Sequence, residues 1–321
     1  MHRNIGSAHS IGCAGLLILA FVLAGPAALA ADVTIPGSNV YPESITATAD
    51  GTLINGGLGN GGIYRTAPGA EAARLWIRPG TDGMMSVLGV LADERSHTLY
   101  ACSSDLSSAG ATIAGGRKPV ALKLFDLATG AVKGSVPLPG DRTLCNDIAI
   151  GADGAAYVTD SFNPHVLRLA PGGDSFEVWA TDPRFTVANG AGLDGIAFGS
   201  DGNVYVDLYN GDKLFRIDVN KDGSAGPVTE LRTSRQLDRP DALRRFGTNK
   251  LLMIEGGGRL DAVTVEGDQA TIDTLKDGYD VPTSVVQVGS TAWVLEGQLD
   301  HLFNPKLGSP HPFRIDAVSL H

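Results

Sequence analysis

The sequence predicts an all-β protein, a six-bladed β-propeller. Three observations lead there. One short pattern recurs six times: an oxygen-bearing residue, an aliphatic residue two positions on, and a turn residue seven positions on, before a second strand-like run. The six starts lie 43, 60, 48, 47 and 42 residues apart. Helical periodicity is missing beyond the N-terminal segment. A handful of short strands in each of six regular copies fits a propeller better than a sandwich or barrel, which need no such period.

The copies follow in order. Glu43-Ser44-Ile45 leads to Asp50-Gly51, and Ser86-Val87-Leu88 leads to Asp93. Asn146-Asp147-Ile148 leads to Asp153-Gly154, and Asp194-Gly195-Ile196 to Asp201-Gly202. Asp241-Ala242-Leu243 leads to Thr248-Asn249, and Thr283-Ser284-Val285 to Ser290. Asp-Gly between apolar runs is a strong hairpin signal. The runs after the turns, such as Ala156–Thr159, Val204–Val206 and Ala292–Leu295, are rich in β-branched and aromatic residues. Third strands are expected at Ile63–Arg65, Val166–Leu169 and Leu214–Ile217. The last run, Phe313–Leu320, is expected to close the ring with the N-terminal blade.

Residues 1–30 read as a secretory signal. His2 and Arg3 precede an apolar run, Ile11–Ala24, and an Ala28-Leu29-Ala30 cleavage site. The run is short for a membrane span. The expected domains are therefore 1–30, a removable signal, and 31–321, one propeller, secreted or periplasmic and free of the membrane after cleavage. Hydrophobic residues make up 43% of the chain and charged ones 19%, which excludes a disordered polymer. The formal charge of −10 argues against nucleic acid or an anionic membrane as partner. Of the three cysteines, Cys13 falls in the signal; Cys102 and Cys145 could pair or remain free thiols.

Propeller geometry gives the pattern a place. Innermost strands run parallel around the axis, so equivalent starts share one height at one channel mouth. That predicts a ring of Glu43, Ser86, Asn146, Asp194, Asp241 and Thr283, all bearing oxygen. The loops over it are 55–62, 103–118, 160–165, 208–212, 255–258 and 296–312. The long second spacing places extra residues at 103–118, as a lid. Three carboxylates and an amide at one mouth repel unless a cation neutralises them. Oxygen donors alone suit a hard ion, Ca²⁺ or Mg²⁺, over zinc.

Four short motifs carry a resemblance: Pro42-Glu43-Ser44, Cys145-Asn146-Asp147-Ile148, Leu193-Asp194-Gly195-Ile196-Ala197-Phe198 and Arg239-Pro240-Asp241-Ala242. In this order and at these separations the chain resembles the SMP-30/gluconolactonase/LRE-like family, which is similar to the paraoxonases and squid-type phosphotriesterases. The resemblance covers the chain after the signal. It implies a propeller whose blades supply Glu, Asn, Asn and Asp to a catalytic divalent cation, often calcium. It implies Glu43, Asn146 and Asp241 as like-for-like ligands, with Asp194 where the family usually has Asn. The expected cofactor is one divalent cation, Ca²⁺ first, with Mg²⁺, Mn²⁺ or Zn²⁺ also admitted. The implied reaction is hydrolysis of a small-molecule lactone or ester. Asp241 is then the candidate general base, or a nucleophile, and Asn146 a ligand that orients substrate. The family's basic residue two before Asn146 is missing, and Arg142 stands four before it. The alternatives are phosphotriester hydrolysis at the same site, a metal-independent relative resembling strictosidine synthase, and a non-catalytic ligand-binding or scaffold propeller.

Other signals are set aside. Gly57–Gly62 matches G-x-G-x-x-G, but a strand and not a helix follows. Asp218–Gly223 resembles half a calcium loop without its closing Glu. His165, His301 and His311 fall in overhanging loops; Phe162, Phe185, Tyr209 and Tyr279 could wall a pocket. No G-x-S-x-G elbow supports a serine hydrolase.

Overall fold

The computed structural model describes residues 1–4, 6 and 31–320; the apolar run and cleavage site of the expected signal lie outside the described residues. Six small sheets, antiparallel but for one outer strand, make six blades. Blade 1 comprises Pro42–Ala47, Leu53–Gly57, Ile63–Thr66 and Arg74–Ile77. Blade 2 comprises Ser86–Asp93, Thr98–Ser104, Ala121–Asp126 and Val132–Pro137. Blade 3 comprises Cys145–Ile150, Ala156–Asp160, His165–Leu169 and Glu177–Thr181. Blade 4 comprises Leu193–Phe198, Val204–Leu208, Lys213–Val219 and Ala225–Glu230. Blade 5 comprises Pro240–Arg245, Lys250–Glu255, Arg259–Glu266 and Gln269–Asp277, with Arg232–Thr233 as an outer parallel strand. Blade 6 comprises Pro282–Val288, Thr291–Glu296 and Arg314–Ser319.

The ring closes through blade 6. Val33–Thr34 pairs with Arg314–Ser319 as the outermost strand of that sheet. The last strand therefore joins the N-terminal segment inside the sixth blade, not the first. The first strands of successive blades touch all the way around, including blade 6 against blade 1. Apolar faces of neighbouring blades pack on each other: Phe185 and Phe215 stack edge to face between blades 3 and 4, and Val87, Ile54 and Ile63 meet between blades 1 and 2.

Cys102 and Cys145 are both fully buried and form a disulfide. The bond joins blade 2 to the residue immediately before Asn146. It settles the pairing that composition left open.

Two details depart from expectation. A short helix, Leu299–Phe303, interrupts the 296–312 segment. The extra residues of blade 2 begin after Ser104, because Ser103 and Ser104 complete the second strand. That insert lies on the blade 1 rim. Thr112 N–H donates to Gly59 O at 2.8 Å, Asn39 Nδ2 reaches Thr112 Oγ1 at 3.0 Å, and Arg117 pairs with Asp105.

Candidate functional site

Strand register fixes the ring. In blades 1 and 3–6 the first strand pairs once with the second, then bulges, and the ring residue is the unpaired one just after that first pair. Pairing skips from Pro42 to Ile45, Cys145 to Ile148, Leu193 to Ile196, Pro240 to Leu243 and Pro282 to Ser284. The bulge aims that residue off the ladder. The ring positions are thus Glu43, Asn146, Asp194, Asp241 and Thr283. In blade 2 the skip runs from Val87 to Val90, which puts Leu88 there. Ser86 is not a ring member: the first strand of blade 2 begins one residue early, with Ser86 and Val87 both paired ahead of the bulge, and matching on oxygen-bearing side chains slid the register by two.

Glu43, Asp194 and Asp241 are buried and converge. One carboxylate oxygen from each lies within 4.8 Å of the others. Among the described residues none of the three forms an ion pair. Burial pushes the Glu43 carboxyl well up, helped by Asp147 and opposed by Arg244. Burial raises Asp194 as well, then Asp241, Asp207 and Glu43 add to it. Burial raises Asp241, reinforced by Glu43, Asp207 and Asp147, while Arg239 pulls it down.

Asn146 holds the equivalent position in blade 3. Its Nδ2 donates to Ser161 Oγ at 2.9 Å, and Ser161 Oγ donates to Leu193 O at 2.5 Å. That chain holds the amide by its nitrogen. Its Oδ1 is buried and without a partner, and such an atom is costly unless something meets it. Three carboxylates and one amide oxygen form a set of hard oxygen donors, the kind that a divalent cation such as Ca²⁺ takes. Thr283 does not belong to it: its hydroxyl donates to Pro42 O at 3.2 Å and joins blade 6 to blade 1.

A second layer, which the sequence reading missed, lies beneath. Asp147 binds Arg244 in a fork, at 2.6 and 3.1 Å. Asp207 accepts Gly195 N–H at 2.9 Å through Oδ1, while its Oδ2 is buried and unpartnered. Burial pushes Asp207 well up. Blade alignment carries the signal for Arg244, the one charged residue at a position that is otherwise Thr, Leu, Ala or Val.

At the rim, Arg239 has a left-handed backbone, φ 57°, and donates through Nη2 to Gly256 O at 2.8 Å. Tyr209 stands beside it, its hydroxyl pushed up by burial and then by Asp241 and Asp194. A cleft of about 350 Å³ opens next to Ser161, lined also by Arg142, Phe162, Asn163, Phe185 and Thr186. Larger grooves, 710 and 890 Å³, lie away from the ring at the blade 4–5 turns and along the outer edge of blade 1.

The remaining signals resolve as structure. His165 Nδ1 sits 3.0 Å from Thr181 Oγ1 on the outer strand of its blade. His301 lies between Asp280 and Gly308 O, while His311 lines a groove among prolines. Phe185 is a core residue, Tyr279 is buried, and Phe162 lies beneath the Arg142 guanidinium. Gly61, at φ 71°, lets the chain approach blade 2; a Cβ there would sit 2.0 Å from Met85 O. Asp218 pairs with Arg216 at 2.8 Å, and Asp222 caps Ser224, so that segment is a turn.

The sequence matches no family model and no curated protein. Solved structures share the fold. A gluconolactonase from Xanthomonas campestris superimposes with a TM-score of 0.61 at 14% identity, over 91% of this chain and 88% of that one. A virginiamycin B lyase from Staphylococcus aureus, solved with quinupristin, gives 0.59 at 17%, over 89% and 83%. The major allergen Mala s 1 from Malassezia sympodialis gives 0.65 at 16%, over 90% and 96%. The chain is a six-bladed propeller with the fold that gluconolactonases also use. At these identities fold is what the likeness establishes; activity must be argued from the site.

Proposed function

We propose that this propeller is a divalent-cation-dependent hydrolase that opens a small-molecule lactone or a related ester at the carboxylate ring. One observation carries the reading: Glu43, Asp194 and Asp241 converge within 4.8 Å, and among the described residues none of them forms an ion pair. Buried like charges this close are tolerated only if protonated or if a cation sits among them. The unpartnered Asn146 Oδ1 supplies a fourth oxygen. All four are hard donors, which favours Ca²⁺, then Mg²⁺. Aspartate at 194 adds a negative charge and tightens the hold on the ion.

When bound, the cation would polarise the substrate carbonyl and stabilise the negative charge that develops on its oxygen. The chain's own residues do the rest. Asn146 keeps its carbonyl turned into the site, because Ser161 holds its Nδ2. Asp241 takes the proton of the attacking water on a carboxylate oxygen. The field of Arg239 helps keep that carboxylate ionised against the burial that raises it. Tyr209 and Arg239 bound the side of the mouth next to Asp241. The buried disulfide fits an oxidising compartment, in keeping with export to the periplasm or outside the cell.

The test is acid release from a panel of γ-, δ- and aromatic lactones by the chain lacking residues 1–30, before and after EDTA and with Ca²⁺ returned. Hydrolysis that disappears on chelation and returns with the ion is the expected result. No release from folded, ion-loaded protein would sink the lactonase reading and leave a phosphotriesterase or a binding propeller.

A further inference from the structure

Beneath the ring the channel is crossed by one side chain. Arg244 leaves the first strand of blade 5 three residues after Asp241. The register places Thr46, Leu91, Ala149, Ala197 and Val286 at the same point of the other blades, so blade 5 alone puts a charge there. The guanidinium reaches blade 3, with Nη1 2.6 Å from Asp147 Oδ2 and Nη2 3.1 Å from Oδ1. Nη2 also lies 3.5 Å from Ser44 Oγ in blade 1, and Nη1 donates to Leu243 O at 2.8 Å. The side chains of Arg244 and Asp147 are 13% and 7% exposed. A planar fork on one carboxylate holds both partners in a fixed plane. Ser44 and Asp147 directly follow Glu43 and Asn146, so the fork ties together the strands that present ring oxygens in three blades.

We propose that Arg244 is a built-in counter-cation, which fixes the floor of the ring and limits the channel to one exchangeable divalent cation. The inference rests on the cation reading above. Without the guanidinium, Asp147 would face Glu43 uncompensated, and the layer below the ring would carry the same charge problem as the ring itself. With it, one positive charge is covalently part of the fold and cannot be chelated. Arg244 touches no reacting atom; it is a positioning residue for Glu43 and Asn146.

The experiment is calorimetric titration of chelator-stripped protein with Ca²⁺, for the natural chain, Arg244→Met, Arg244→Lys, Asp147→Asn and the Asp147→Asn/Arg244→Met pair. The natural chain and Arg244→Lys should take one ion. Arg244→Met should take two, and the double variant one again. If Arg244→Met does not fold, Asp147→Asn decides: it strands the guanidinium beside Glu43, and Ca²⁺ affinity should fall by about tenfold or more. A single ion bound by Arg244→Met with unchanged affinity overturns the role of Arg244 and leaves the cation reading standing. So does unchanged affinity in Asp147→Asn where that variant decides. A natural chain that binds no divalent cation overturns both.

Discussion

Two sets of buried acids stand a few residues apart in this propeller and differ in one respect. Asp160, Glu255 and Glu296 end the second strands of blades 3, 5 and 6. Each accepts the backbone N–H that precedes the neighbouring first strand: Leu144 at 3.0 Å, Asp238 at 2.9 Å and Asp280 at 2.8 Å. Glu255 also binds Arg235 and Arg259, and Glu296 binds Arg314. They pair in register with Cys145, Pro240 and Pro282, each one residue before a ring position. These acids are braces that hold the turns from which ring residues project. Glu43, Asp194 and Asp241 are also buried, and among the described residues none of their carboxylates forms an ion pair or accepts a hydrogen bond. Burial therefore does not mark the site; a buried acid with neither counter-charge nor donor does.

The strongest way to break that contrast is to remove one charge from each set. Asp241→Asn should lower turnover by roughly 10²–10⁴-fold, the usual weight of a general base. The same change should raise the melting temperature of cation-free protein, since it relieves repulsion in the ring. Steady-state rates on the responsive lactone and calorimetry in EDTA check both halves. Full activity in Asp241→Asn would end its assignment as base. Glu255→Ala should act in the opposite sense. It leaves Arg259 and the Asp238 N–H without their acceptor, while Arg235 keeps Asp261, at a cost of about 1.5–3 kcal/mol. Urea denaturation reads it; a neutral result would mean that the brace holds nothing.

The ring also predicts an inverted pH dependence. All three carboxyls are raised, with burial the largest cause. A raised carboxyl keeps a proton in the fold that the unfolded chain has released. Its contribution is complete below the unfolded value of about 4 and is lost as pH rises through the folded value. Cation-free protein should therefore be most stable in mild acid and melt at least about 5 °C lower near neutrality. Saturating Ca²⁺ should flatten the curve. An equally flat curve in EDTA would show that the ring carries no mutual repulsion.

The fold was legible because its period is set by turns that few sequences can make, and Asp-Gly at 50, 153 and 201 marked three hairpins directly. Glu43, Asn146, Asp194 and Asp241 followed from the same alignment, since residues at equivalent starts of parallel strands share one height. Ser86 failed because a bulge is invisible in a hydrophobic pattern: Leu88 fills the ring position, and only the pairing of Val87 and Val90 reveals it. Arg244 and Asp207 were missed for a different reason. Arg244 meets its partner 97 residues away across the channel, and Asp207 meets Gly195 12 residues away on the neighbouring strand, so neither contact shows in a local pattern.

Asp207 supplies the smallest effect and the sharpest test of the counter-charge rule. By register it stands where blade 3 has Thr159, one residue before the end of the second strand. The Thr159 hydroxyl accepts Asp147 N–H at 3.0 Å and donates to Asp194 O at 2.6 Å. Asp207 Oδ1 performs the accepting half on Gly195 N–H. Its Oδ2 is buried and meets no donor. A buried acceptor without a donor is costly, and protonation, toward which burial pushes this carboxyl, relieves it. An amide offers the same acceptor and the same donor. Asp207→Asn should thus shift stability by less than about 1 kcal/mol, whereas Asp147→Asn, which unpairs Arg244, should cost about 3–5. Urea midpoints of the two variants at neutral pH decide it. Equal losses would mean that Asp207 is ionised in the fold, and that a buried acid without a counter-charge need be neither protonated nor a ligand.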